Sequence, residues 1–412
     1  MAQARYSAPA GLAATFVAAA FVASPATAQM TVNPGTGPYV GGTVGLGHDT
    51  NVFRTPKNVT ATPDIYGFVG LIAGIDQPVG RQRLFVDASL RTTRYQDITQ
   101  LNNEGYALRG GIDWETVGRL SGNLTAQANQ TLARYGVAGA AVITDRNLER
   151  VQELRGNAVW GAQQTLGAEI GGATRNLEYS NVAAQGQNVR EDSINGGLRY
   201  RPSDLIRFGV GVRFTDGRYP KFFAAAPGSA APLEYERRDV DFTVNWTPTG
   251  RSTLEARLSG TSQEYQQDPS RDFDGVTGSL SWLFRVGGRL GMRADIFRDT
   301  GTGATFLLLG QARTGAVGDN SGVATGYRLG GTYEITGKTQ AEFNLGQTRR
   351  EFDGAGAGND TTTTYGVGLR WAATRAVGVG CQISGEQRSS SSVLSSDYSA
   401  RLVLCTAQMV LR

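Results

Sequence analysis

Histidine occurs once in this sequence, at His48, cysteine only at Cys381 and Cys405, and lysine only at Lys57, Lys221 and Lys338. Each scarcity excludes something. A zinc centre takes three or four ligands, mostly His and Cys, so this inventory does not build one. The neighbours His48 and Asp49 invite a hydrolase reading. However, they sit in "GLGHDTNVFR", a polar, Gly-flanked stretch with the chemistry of a loop, and no G-x-S-x-G elbow accompanies them. No catalytic activity is expected. The fragments "DNSG" and "GAGAGND" lack the spaced acidic ligands of a calcium loop. No cofactor is expected either.

Long apolar runs are also missing. After residue 28 nothing approaches the roughly 20 apolar residues of a spanning helix. Helical periodicity is absent there, and so is any repeat of roughly 20–50 residues. The net charge is +4 and the pI about 9.1, yet acidic residues are interleaved throughout and no basic block exists. Nucleic acid is therefore not an expected partner. The near-absence of lysine makes almost all positive charge arginine, whose planar fork suits partly buried ion pairs and acidic sugars.

The N-terminus reads as a secretory leader. Arg5 supplies a positive charge, Ala10–Ala23 a short apolar run, and Ala26-Thr27-Ala28 a small-x-small cleavage pattern. Residues 1–28 are expected to be removed, leaving one domain over 29–412.

That domain alternates apolar and polar residues, the period of a strand. In "LIRFGVGVRF", Ile206, Phe208, Val210, Val212 and Phe214 share one face opposite Arg207 and Arg213. "VTGSLSWLF" and "YGVGLRW" repeat the pattern; in "RLFVDASLRTTRY" Phe85 is the exception, lying on the polar face. Segments of about ten residues or more are long enough to cross a membrane at a tilt. Connections alternate in length. Short turns fit at 116–119, 161–164, 202–204, 247–251, 286–289, 336–339 and 372–376. Long polar loops fit at 48–63, 135–146, 179–190, 220–232, 300–322, 352–360 and 389–396. All five tryptophans (Trp114, Trp160, Trp246, Trp282 and Trp371) fall just before short turns, as an aromatic girdle at one membrane interface requires. The expected fold is all-β: a transmembrane antiparallel up-and-down barrel of about 18 strands, or about 16, with short periplasmic turns and long extracellular loops. "ATFLLLGQA", near 304–312, is either part of a strand or a segment folded into the lumen.

An apolar face toward lipid leaves the other face free to be charged. Candidate lumen residues, and the candidate substrate path, include Arg91, Arg109, Asp113, Arg155, Arg199, Arg213, Arg257 and Arg370. Carboxylates two apart in "GIDWE" and "RDVDF" resemble glycosidase pairs, but beside so many arginines they are expected to form ion pairs. Cys381 and Cys405 flank "SSSSVLSS" symmetrically, and a hairpin centred near residue 393 sets them opposite each other. Opposed strand residues lie within disulfide range, and a bond between them is expected in an oxidising compartment.

"GLGHDTNVFR" resembles the opening-strand motif of an outer-membrane barrel group, beta-barrel porin 2. That group includes EpsL-like proteins associated with exopolysaccharide biosynthesis. The matching residues are Asp49, Asn51, Val52, Phe53 and Arg54. The resemblance implies outer-membrane residence in a Gram-negative bacterium and a role near polysaccharide export. It carries no catalytic residues. Expected partners are outer-membrane lipids, the barrel-insertion machinery, a polysaccharide and inner-membrane export proteins. One departure is the ending "AQMVLR", which lacks the terminal aromatic residue of many such barrels. Two other readings remain open: a general diffusion porin for small solutes, and a structural or adhesive barrel acting through its loops.

Overall fold

A computed structural model describes residues 36–136, 143–226, 229–300, 322–352, 358–392 and 395–412. The expected leader and parts of five expected loops, "ATFLLLGQA" among them, lie outside the described residues. The strands are β1 (Gly37–Asp49), β2 (Asp64–Val79), β3 (Gln82–Tyr95), β4 (Asn103–Glu115), β5 (Leu120–Leu132), β6 (Leu148–Trp160), β7 (Leu166–Tyr179), β8 (Val189–Ser203), β9 (Ile206–Ala226), β10 (Ser229–Thr249), β11 (Ser252–Tyr265), β12 (Phe273–Val286), β13 (Leu290–Thr300), β14 (Val323–Thr336), β15 (Thr339–Phe352), β16 (Gly358–Ala372), β17 (Val377–Ser390) and β18 (Tyr398–Leu411). Each pairs antiparallel with its sequence neighbours, and β1 closes the sheet on β18. The result is an 18-stranded barrel rather than the 16-stranded alternative. Closure removes both sheet edges, so every ladder group finds a partner without water.

The two-residue period sorts the faces. Ile206, Phe208, Val210, Val212 and Phe214 turn outward on β9, while Arg207 and Arg213 turn inward. Val44, Leu46, Val69, Leu71, Leu90, Leu198, Val240 and Val367 are also outward and at least half exposed. A continuous apolar surface of this kind does not occur on a protein in water; around a barrel it is the lipid-facing band. Along β9 it runs from Ile206 to Phe214 before Asp216 and Arg218 end it. At about 3.3 Å per residue and a tilt near 40° that is roughly 20 Å, close to the expected apolar height. All five tryptophans lie outward at the short-turn end. The Trp282 indole N–H donates to Ser252 Oγ at 2.9 Å, which satisfies its polar edge.

Short turns occur at the seven expected places, and at Gly80–Arg81, which the alternation alone had not marked. Gly287 and Gly288 make one of them with φ of 58° and 78°, a conformation that glycine adopts without steric cost. Three departures stand on the loop side. The expected loop 220–232 is mostly strand: β9 and β10 each run 21 residues and rise past the apolar band as a hairpin. Pro232, which argued for a loop, falls in a register shift between Ala231 and Leu233, where a missing N–H breaks no ladder bond. His48 and Asp49 belong to β1 rather than to the first loop. Finally, loops at 96–102 and 266–272, each with a short 3-10 turn, were not among the expected loops.

On the last hairpin, Cys381 stands opposite Cys405, Val379 opposite Ala407 and Ile383 opposite Val403. A disulfide joins the two cysteines with Cα atoms 4.1 Å apart. Both share the outward face with Leu46, so the bond lies against lipid. Enclosing a separation of 24 residues, it limits the unfolded chain by about 3 kcal/mol at most. A one-residue slip of β18 would turn its apolar set into the lumen, and the bond forbids it. Denatured, unreduced protein is expected to show no thiol-reactive cysteine; two labelled thiols per chain would remove both the bond and this role.

Candidate functional site

The lumen is the candidate site, and register decides which side chains enter it. Asp113, Arg155, Arg199, Arg213, Arg257, Arg370, Arg91 and Arg109 all occupy inward positions. Most are held by carboxylates. Arg213 bridges Asp239 and Asp241, each at 3.2 Å. Arg257 reaches Asp299 at 2.9 Å and Asp241 at 3.6 Å. Arg237 joins Asp239 at 2.8 Å and Asp299 at 2.7 Å. These six groups form one lattice across β9–β13, with the Ser259 and Thr261 hydroxyls donating to its carboxylates. Elsewhere Arg155 pairs with Glu153 at 2.8 Å, Arg370 with Glu342 at 2.8 Å, and Arg83 with Asp113 at 3.2 Å. Arg199 pairs with Glu169. Much of the wall is therefore electrically closed upon itself.

The wall of β2–β4 differs. Phe68 and Phe85 face inward and lie against glycines of the adjoining strands, Gly45 and Gly111. Guanidinium groups cover their other sides: Arg91 sits 4.3 Å from the Phe68 ring centre, and Arg83 and Arg109 each 5.2 Å from that of Phe85. This explains the one break in the β3 alternation: Phe85 is a platform for arginine. Arg109 is exposed and, among the described residues, has no carboxylate partner. Asp87, which stands opposite it, accepts instead from the Tyr39 hydroxyl at 2.6 Å.

The loop-side mouth is packed. After β1 the chain bends inward and Asn51 holds the bend. Its side-chain oxygen accepts from the Thr55 backbone N–H at 2.9 Å, and its amide donates to the Thr55 and Ser399 carbonyls. Arg54 adopts φ of 53°. Val52 and Phe53 are buried against Tyr66, Tyr95 and Leu402, and Phe53 meets Tyr135 edge-on at 5.2 Å. Above them runs a chain of ions. Arg54 binds Asp49 at 2.9 Å and Glu386 at 3.7 Å. Glu386 also accepts from Arg134 and from the Tyr398 hydroxyl. Arg388 and Arg350 share Asp360 at 3.8 and 3.4 Å. Arg134 follows β5, six strands around the wall from β17, so its bond to Glu386 draws the loop after β5 over the lumen. Burial lowers the Arg134 pKa to about 10, which leaves it protonated at neutral pH. Burial pushes the Tyr135 phenol up. Ile143 joins this cluster to a second apolar one built on Leu177, Leu233 and Tyr235.

Asp49, Asn51, Val52, Phe53 and Arg54 are thus brought together at the mouth, while His48 is not part of it. His48 is exposed on the outward face between Ile65 and Val403, and Asp49 points the other way. Adjacent strand residues cannot form a dyad, because they occupy opposite faces. His48→Ala is expected to leave heat-resistant folded barrel and transport unchanged; loss of transport with normal insertion would contradict this placement. Glu386, Arg388, Asp360, Arg350 and Arg134 were not among the candidate path residues. The alternation in "GEQRSS" marks Glu386 and Arg388 as inward charges, but nothing local indicates their partners.

No family model matches this sequence, and no curated protein matches it. Solved structures are similar in fold. OccK2 (OpdF) of Pseudomonas aeruginosa aligns at 10% identity over 91% of this chain and 98% of its own, with a TM-score of 0.50. OccAB4 of Acinetobacter baumannii aligns at 10% identity over 91% of this chain and 99% of its own, with a TM-score of 0.47. The outer membrane protein OpdK of Pseudomonas aeruginosa aligns at 10% identity over the same shares, with a TM-score of 0.46. At such identity the likeness is one of fold: this chain has the closed 18-stranded architecture of outer-membrane porins.

Proposed function

We propose that this barrel is a passive outer-membrane porin for polar solutes in a Gram-negative bacterium, delivered by the leader over residues 1–28 and assembled by the barrel-insertion machinery. The observation that carries the reading is the division of faces: outward positions are apolar through the membrane band, whereas arginines and carboxylates fill the inward positions. Solutes pass along the β2–β4 side, where Arg109 offers a charge not already matched by a carboxylate. Conduction needs contacts weak enough to release, and one exposed guanidinium on an aromatic ring meets that need.

Polysaccharide export remains a second reading, supported by the Asp49–Arg54 motif that builds the loop-side mouth. The decisive measurement is conductance in planar bilayers. Stepwise ion current is expected, and Arg109→Gln is expected to shift selectivity toward cations. Absence of current from folded, inserted barrel would overturn the porin reading in favour of a structural barrel.

A further inference from the structure

We propose that the turn-side mouth is a cationic annulus that captures polyanionic solutes, chains bearing repeated carboxylate or phosphate groups, from the periplasmic side. The inference rests on the conduit reading and adds the substrate class and the mouth at which it enters.

Arg81, Arg119, Arg251, Arg289 and Lys338 each occupy the residue immediately before a strand, namely β3, β5, β11, β13 and β15. The first residues of those strands, Gln82, Leu120, Ser252, Leu290 and Thr339, have outward parity. Where the ladder extends back by one residue, the cation before the strand therefore falls on the lumen side. For four of the five the ladder itself reaches the cation: the carbonyls of Arg119, Arg251, Arg289 and Lys338 accept backbone N–H bonds from Gly161, Arg285, Glu334 and Ala372 at 2.7 to 2.9 Å. Arg81 instead donates through its guanidinium to the Thr116 carbonyl at 3.3 Å. All five are exposed, and among the described residues none has a carboxylate partner. Arg201 and Arg207 add positive charge at this end. The acids there are Glu115, Glu334, Asp113, tied to Arg83 at 3.2 Å, and Asp204, tied to Arg201 at 2.7 Å.

The opposite mouth is built differently. Among the described residues its inward arginines, Arg54, Arg134, Arg350 and Arg388, are buried or half-buried and matched to Asp49, Asp360 and Glu386, while Arg146, Arg298 and Arg401 stay exposed farther out. A polyanion arriving there meets a packed, neutralised surface. One arriving at the turns meets unmatched cations spread around the rim, within a screening length of about 10 Å at 0.1 M salt. A ring of one sign raises the local concentration and on-rate of an oppositely charged solute. A chain with several charges engages several of the five at once, and each contact stays weak and exposed. Because four of the five have lumen parity, the favoured occupant is a solute and not the phosphate of a surrounding lipid.

The test uses the whole barrel in planar bilayers, oriented by an impermeant maleimide on Val117→Cys, an exposed turn residue. Small-ion current is recorded first. An oligogalacturonate of about ten units is then added to one chamber at a time. Blockades are expected roughly tenfold more often from the turn side at low salt, converging near 1 M salt. The same asymmetry is expected to vanish in the variant carrying Arg81→Gln, Arg119→Gln, Arg251→Gln, Arg289→Gln and Lys338→Gln. Equal blockade from both sides, or asymmetry that survives in the variant, overturns the annulus and leaves the conduit standing. If no current flows, the conduit fails, and equilibrium binding of the same oligomer to detergent-solubilised barrel decides the annulus. Salt-sensitive binding lost in the variant supports it; no binding overturns it. Retention of anionic phospholipid through these five residues, without capture of the oligomer, also overturns it.

Discussion

Glu386→Ala is expected to unfasten the loop-side mouth while leaving the barrel wall intact. Glu386 is nearly fully buried and serves Arg54, Arg134 and the Tyr398 hydroxyl. Removing it leaves Arg54 with Asp49 alone and Arg134 with no carboxylate partner among the described residues, and breaking a buried pair in this way costs about 3–5 kcal/mol. The wall has little share in that cost, since its ladders run unbroken on both sides of β17. The loss falls instead on the inward bends at residues 50–56 and 133–136, which keep their other supports, Asn51 in the first and the Arg388 guanidinium on the Gly136 carbonyl in the second. Single-channel current is expected to rise and flicker, and loop cleavage by added protease to accelerate. Glu386→Gln keeps an acceptor without the charge and is expected to lie between. Current and protection equal to wild type would refute the fastening role.

Leu280→Arg is the second change with a large effect. Leu280 is outward near the middle of β12, between Val276 and Trp282 along the strand and beside Ala256 and Ile296 across it. Arginine at that depth of the lipid face costs about 2–4 kcal/mol. Asn344→Arg supplies the contrast. Asn344 is inward, between Gly330 and Gly366, where there is room for a longer side chain and a polar lumen to receive it. Guanidinium unfolding from lipid vesicles is expected to show the first loss and little of the second. Equal losses would mean that the inward and outward faces are wrongly assigned on one of these strands.

Much of the fold was legible because its signals are local. A strand needs only a period of two. A membrane turn needs only a few polar residues between such runs, and an indole near each turn marks the interface. The places that misled are those where a local rule met a distant partner. Pro232 argued for a loop, yet β9 and β10 continue past it, because the register shift at Pro232 asks nothing of its missing N–H. Phe85 read as an exception on a polar face, and only β4 beside it supplies the glycine beneath and the Arg109 guanidinium that joins that of Arg83 above.

By itself the sequence determined which face of each strand meets lipid, because burial in hydrocarbon selects apolar side chains residue by residue along a fixed two-residue period. It likewise determined the girdle of tryptophans and the end of the barrel on which they sit. Only the tertiary structure decided how the lumen charges pair. The evenly mixed charges of the inward face admit many pairings; closure of β1 on β18 sets Arg54 and Arg134 against Glu386, and register across β9–β13 gathers Arg213, Arg237 and Arg257 around three aspartates. It also decided that, among the described residues, the inward arginines of the loop-side mouth are matched while the cations at the turns are not. Long loops can fold back until their charges are neutralised, whereas two- to five-residue turns hold their cations apart at the rim.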